Sequence, residues 1–171
     1  MDDKGNWASR EIANLRMEQM NKHIFRIHNE RVKPTDQFIH VGDLGFSNSA
    51  GGKLGEGSTE KPNSYLDQLK GQKIFLIGNH DHCNALKTYV HSLVLKWANH
   101  YYYVTHRPED ANPAFDVNFT AHCHNAWKFQ TRIVEGKKID LINVGIDVNN
   151  YMPRTIEELL KEYNIWKKGE E

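Results

Sequence analysis

The chain has 171 residues, with 22 Lys+Arg against 22 Asp+Glu and 39% hydrophobic residues. That length buries a real core and is most simply one domain spanning residues 1–171. The zero net charge offers no field for a long nucleic-acid footprint or an anionic membrane surface.

No apolar run approaches a membrane span, and Met1-Asp2-Asp3-Lys4-Gly5 lacks the apolar core of a secretory signal. The chain therefore reads as cytoplasmic. Its two cysteines, Cys83 and Cys123, each lie beside a histidine and read as reduced thiols rather than a disulfide.

Ala8 to Val32 reads as a helix, with Ile12, Leu15, Met20, Ile24 and Ile27 at helical spacing. Ser9 is a candidate N-cap, and Pro34 ends the ladder. Gln37 to Val41 reads as a short buried strand. Ser47 to Thr59 is rich in glycine and serine and reads as a loop on the substrate side. Ser64 to Leu69 reads as a short helix closed by Gly71.

Lys73 to Ile77 is a continuous apolar strand. Asn84 to Lys96 reads as a helix with Leu86, Val90, Leu93, Val94 and Trp97 on one side. Strands follow at Tyr101–Val104 and Ala114–Phe119. A hairpin over Thr131–Val134 and Lys138–Val144 turns at Glu135-Gly136. A last helix runs from Ile156 to about Lys167, whose lysines read as a solvated end. Helices and strands alternate early and strands dominate late. The expected fold class is α/β, two mixed sheets packed face to face and flanked by α-helices.

Potential metal ligands cluster in short segments. These are Gly42-Asp43, Gly78-Asn79-His80-Asp81, Thr105-His106 and His122-Cys123-His124, with Gly145-Ile146-Asp147 as a supporting segment. Three of the first four follow an expected strand, where an α/β fold presents its site. Alone, Asp43 reads as a turn cap, His106 as a surface histidine and Asn79-His80-Asp81 as a polar turn. Together, carboxylate, amide and imidazole groups suit a divalent cation such as Mn²⁺, Fe²⁺, Zn²⁺ or Mg²⁺ and metal-assisted hydrolysis. His122 and His124 share a strand face or a turn, which suits joint ligation. Cys123 reads as buried and inert. His23, His28, His40, His91 and His100 read as surface or packing residues, and Tyr101, Tyr102 and Tyr103 as packing in the sheet.

In this order the segments resemble the calcineurin-like metallophosphoesterases, whose motifs are D-x-H, G-D, G-N-H-D/E, a lone His and G-H-x-H. Asn29 to Pro34 and Asn143 to Asp147 are similar to a small bacterial and phage branch of that family. The resemblance implies a metallophosphoesterase-type sandwich that hydrolyses a phosphomonoester or phosphodiester by a metal-activated hydroxide. It implies two metal ions bridged by Asp43, with Mn²⁺ the leading candidate and Fe²⁺, Zn²⁺, Ni²⁺ or Mg²⁺ as alternatives. Asn79, His106 and His122 complete one site, and His124 serves the other. His80 lies near the phosphoryl group and Asp81 orients it. The substrate is a small phosphoester or nucleotide.

Two departures shape the expectation. No D-x-H occurs upstream of Asp43, so the first strand that carries it in the family is expected to be missing. One metal site then keeps only Asp43 and His124, while the other is intact. Ala121 stands where the family has glycine, and its methyl is expected to crowd the turn. The alternative is a pseudoenzyme of the same fold that binds a phosphorylated ligand with one metal or none. A structural zinc protein is disfavoured because paired cysteines are absent. Oligomeric state is left open.

Overall fold

The computed structural model describes residues 10–45, 62–81 and 90–169. The Ser9 cap, the 47–59 loop, His82, Cys83 and positions 84–89 lie outside them. The order is helix α1 (Arg10–Arg31), strand β1 (Gln37–His40), helix α2 (Pro62–Leu66) and strand β2 (Gln72–Phe75). Strands β3 (Ser92–Trp97), β4 (His100–Thr105) and β5 (Val117–Thr120) follow. Strands β6 (Phe129–Val134) and β7 (Lys137–Asn143) precede helix α3 (Ile156–Gly169).

The architecture is α/β. A five-stranded mixed sheet has the order β3-β4-β5-β7-β6, and β1 and β2 form a parallel two-stranded sheet. An isolated parallel bridge, Leu76 to Val90, extends the smaller sheet. Leu76, Tyr102, Val104, Phe119, Ile142 and Leu159 form the main core, with Ile39 of β1 and the following Val41 packed against it. The two sheets and α3 therefore share one apolar layer. Full burial of a residue such as Leu76 or Ile142 contributes about 1.5–3 kcal/mol.

α1 departs from the expected pattern. Ile12, Leu15 and Met20 are 40%, 54% and 50% exposed, whereas Ala13 and His28 are buried. The buried stripe is rotated towards residues that are small or polar, and His28 is accommodated by Nε2 lying 2.9 Å from the Lys70 carbonyl. Its ring also meets Phe38 edge-on, with centroids 4.5 Å apart. The helix ends as expected before Pro34, where Asp36 accepts the Lys33 N–H at 2.8 Å.

The expected helix over Asn84–Lys96 is contradicted where the structure describes it, because Ser92–Trp97 is a strand. Leu93 and Leu95 face the core, while Val94 and Lys96 point to solvent. That alternation has period two, and the helical reading mistook it for a stripe. The chain reverses at Ala98-Asn99, both at positive φ (46 and 66), so that Trp97 pairs with His100. Alanine seldom adopts that conformation, which hides the turn in the sequence. The Glu135-Gly136 turn forms as expected, again with both residues at positive φ.

α3 is anchored rather than solvated at its C-terminal end. Asp140 of β7, 6% exposed, accepts hydrogen bonds from Thr131 Oγ1 at 2.5 Å and from Tyr163 and Lys167, each at 2.6 Å. The reading of Lys167 as a free surface lysine is corrected by this contact. Arg154 bridges Glu158 and Glu162, and Arg31 of α1 also reaches Glu158.

Candidate metal centre

All four ligand-bearing segments leave the C-terminal end of an extended segment. Asp43 follows β1, Asn79 follows β2 and the Leu76 bridge, His106 follows β4 and His122 follows β5. The pairings β1–β2 and β4–β5 are parallel, so these ends lie on the same side.

Donor atoms of Asp43, His106 and His122 all lie within 4.8 Å of one another. Asn79 joins them, its Oδ1 3.0 Å from His106 Nε2. His106 Nε2 is also 3.2 Å from Asp43 Oδ2. His106 Nδ1 lies 2.7 Å from the Val41 carbonyl, to which it donates. That bond fixes the ring and leaves Nε2 facing Asp43 and Asn79, the arrangement a metal-ligating histidine requires. The His106 and His122 rings sit 5.1 Å apart and near-perpendicular. A carboxylate, an amide oxygen and two imidazoles at this spacing fit one divalent cation.

The backbone is shaped to bring these groups together. Asp43 and His122 both have positive φ (56 and 68), an uncommon state for non-glycine residues. A Cβ on Gly78 would lie 2.1 Å from Asp43 Oδ1, and one on Gly42 would lie 2.5 Å from His106 Nδ1. Only glycine permits either approach. Ala121 is buried but is not among the positive-φ residues, so its methyl imposes no backbone strain. Its N–H bonds the His106 carbonyl at 2.9 Å, tying two ligand segments together.

Asp81 acts on the scaffold. Its carboxylate, 1% exposed, accepts N–H bonds from Asp43 at 2.8 Å, Leu44 at 3.2 Å and Gly78 at 2.7 Å. The expected role of orienting His80 meets a carboxylate already engaged in holding the two loops side by side. His80 presents an exposed side chain at the rim, and its N–H donates to Asp43 Oδ1 at 2.9 Å.

His124 is not brought into the cluster. Its side chain is 82% exposed and its Nδ1 pairs with Asp147 Oδ2 at 3.0 Å. His122 and His124 lie in a turn, both at positive φ, rather than on a strand face. The turn aims them differently, and expected joint ligation by the pair is not seen. Buried Asn143 shapes this turn by donating to the carbonyls of His124 and Trp127, each at 2.8 Å. Asp147 supports His124, consistent with its reading as a supporting residue. Cys123 is a free thiol of intermediate burial, less enclosed than expected.

The electrostatics follow the contacts. Burial draws His106 down, but its bonds to Asp43 and Val41 and the charges of Asp43 and Asp81 outweigh this and hold it above its ordinary value. Burial pushes Asp43 up, and the His106 and His80 hydrogen bonds more than offset that, leaving it lowered. His122 is lowered by burial and by the charges of His106 and Arg107.

An open cleft of about 530 Å³ adjoins the cluster. Its wall includes Asn79, His106, Arg107, Ser92 and Tyr103. Arg107 was not singled out by motif reasoning. The available signal was a cation placed directly after the lone histidine at a strand end.

Comparison with known proteins places the fold without naming an activity. No family model matches the chain. It is 24% identical over 159 residues to the uncharacterized protein MJ1445 of Methanocaldococcus jannaschii, covering 91% of this chain and 80% of that protein. The crystal structure of AQ665 from Aquifex aeolicus, a protein of unknown function, superposes with a TM-score of 0.57. The identity is 21%, over 91% of this chain and 94% of that one. The two share this fold. A single mutant of Vps29 from Entamoeba histolytica is similar at a TM-score of 0.34 and 17% identity, over 77% of this chain and 63% of that one. No helix among the described residues is long and apolar enough to cross a membrane.

Proposed function

We propose that this chain is a calcineurin-like metallophosphoesterase that hydrolyses a small phosphoester in the cytoplasm through a single metal centre. The observation that carries the reading is the convergence of Asp43, Asn79, His106 and His122 from four separate loops beside an open cleft. A cation bound there supplies Lewis-acid polarisation of a phosphoryl oxygen and a water of lowered pKa; Mn²⁺ is the first to try, with Fe²⁺, Zn²⁺, Ni²⁺ and Mg²⁺ behind it.

The residues divide the remaining work. Asp43 offers a carboxylate whose Oδ1 is fixed by the His80 N–H and whose Oδ2 faces His106. The Val41 carbonyl keeps His106 in the tautomer that leaves Nε2 available. We assign His80, whose side chain is exposed, the role of meeting the phosphoryl or leaving group. Asp81 is a positioning residue that locks the loops.

A second reading has one specific observation behind it. His124 turns to Asp147, so a second metal would have only Asp43 from the expected pair. A one-metal binding protein for phosphorylated ligands would look the same. Turnover of p-nitrophenyl phosphate and bis-p-nitrophenyl phosphate with added Mn²⁺ separates the two. Asp43→Asn is expected to lower turnover by more than the roughly 10–100-fold that loss of an outer-shell partner costs. A folded wild type that binds one Mn²⁺ and turns over no ester supports the binding protein instead.

A further inference from the structure

Arg107 follows His106 directly and lines the cleft. Its backbone is pinned. It caps the 3-10 helix Pro108–Asp110 in an extended conformation, its carbonyl accepts the Asp110 N–H at 3.1 Å, and Pro108 is buried. The side chain is exposed and, among the described residues, takes part in no ion pair and no side-chain hydrogen bond. Neighbouring Glu109 already has a partner, Arg132, at 3.7 Å. A free guanidinium beside a cation site is well suited to phosphate, whose oxygens match its planar fork.

The number of terminal oxygens sets the form of phosphate. A divalent cation with the Asp43 carboxylate carries net +1, Arg107 raises this to +2 and Asp110 on the same wall returns it to +1, so charge alone does not separate the esters. A phosphomonoester has three terminal oxygens, two for the planar fork of Arg107 and one for the cation, whereas a diester has only two. Asp110, the one carboxylate among the described residues that line the cleft, disfavours a further anionic group on the substrate.

We propose that Arg107 is the anion-recognition residue of this cleft and makes the site selective for a phosphomonoester dianion bearing a single phosphate over a phosphodiester. The inference rests on the reading of the cluster as a phosphoester site.

The test compares wild type, Arg107→Ala and Arg107→Lys, all loaded with Mn²⁺. Inorganic phosphate binding is measured by calorimetry, and kcat/KM is measured for p-nitrophenyl phosphate and bis-p-nitrophenyl phosphate. The expected result is about tenfold weaker phosphate binding in Arg107→Ala, with Mn²⁺ stoichiometry unchanged. The monoester loses about tenfold more than the diester, and Arg107→Lys recovers part of the loss. Equal losses on both esters, or unchanged phosphate affinity, overturn the proposal. Arg107-dependent phosphate binding without turnover of either ester supports this inference and overturns hydrolysis.

Discussion

Gly78 is the tightest point of the centre. Its Cα–H faces Asp43 so closely that an added methyl would meet both Oδ1 at 2.1 Å and the backbone nitrogen at 2.4 Å. Gly78→Ala is expected to displace the Asp43 carboxylate while leaving the distant core intact. Mn²⁺ affinity measured by calorimetry is expected to fall by about 10–100-fold with far-UV circular dichroism unchanged. Unaltered affinity would show that Asp43 is not a ligand. That Asp43, Asn79, His106 and His122 come together was legible from the order of the motifs, although each alone reads as a turn or surface residue. The roles of Asp81 and His124 were not, since both depend on which partner a turn aims them at. Asp81 meets three N–H groups and His124 meets Asp147, and neither pairing leaves a mark at sequence spacing.

Among the elements, α3 shows how one buried carboxylate fixes a helix. Burial alone would raise Asp140, but Lys167, Thr131 and Tyr163 outweigh it and hold it below the usual carboxylate range. Burial and the same contact push the Tyr163 hydroxyl well up, so it remains a donor. A depressed folded value means that ionised Asp140 stabilises the fold above pH 3.8, and that this contribution disappears as pH falls through the lowered value. Asp140→Asn is expected to cost about 1–3 kcal/mol at pH 7, discounted for the partly exposed lysine, and to reduce the acid sensitivity of urea unfolding. An unchanged midpoint would show that apolar packing of Leu159 and Trp166 suffices. The helix itself was legible, introduced by Pro153-Arg154-Thr155 and beginning at Ile156. Its anchor was hidden because Asp140 sits in an apolar strand, where a carboxylate gives no hint of the helix it will meet. β3 was misread for the opposite reason: Leu93, Val94 and Trp97 satisfy two periods, and only the Ala98-Asn99 reversal selects the strand.

At the scale of the whole molecule, the small sheet holds a half-buried histidine, His40, whose ring meets Phe38 and Phe75 but whose Nδ1 the fold leaves unsatisfied. His40 Nδ1 is enclosed without a partner. Burial lowers its pKa to about 4, only partly resisted by the charges of Asp81 and Asp43, and His28 is lowered by burial as well. The unfolded chain thus binds protons that the folded one refuses. Full stability is present above pH 6.5 and is lost as pH falls towards about 4. His40→Leu is expected to flatten the melting temperature between those values, and an identical slope in wild type and variant would assign the loss to other groups. The α/β class and four of the five late strands, β4 to β7, were legible from short apolar runs between turn signals. The arrangement of β1 and β2 as a separate parallel pair depends on contacts far apart in the chain, which local patterns do not encode.

The Asn143 side chain holds the turn that carries His122, and β7 lies beside β5, the strand that leads into that turn. During synthesis the first proposed ligand, Asp43, therefore leaves the ribosome a hundred residues before Asn143, which braces the turn of the last one. At about 5–20 residues per second, the nascent chain spends seconds with an acidic loop and a free histidine motif but no complete cage. The centre belongs only to the finished polypeptide, and a translation product that stops before β7 has every ligand in its sequence yet lacks the brace that sets His122 in place.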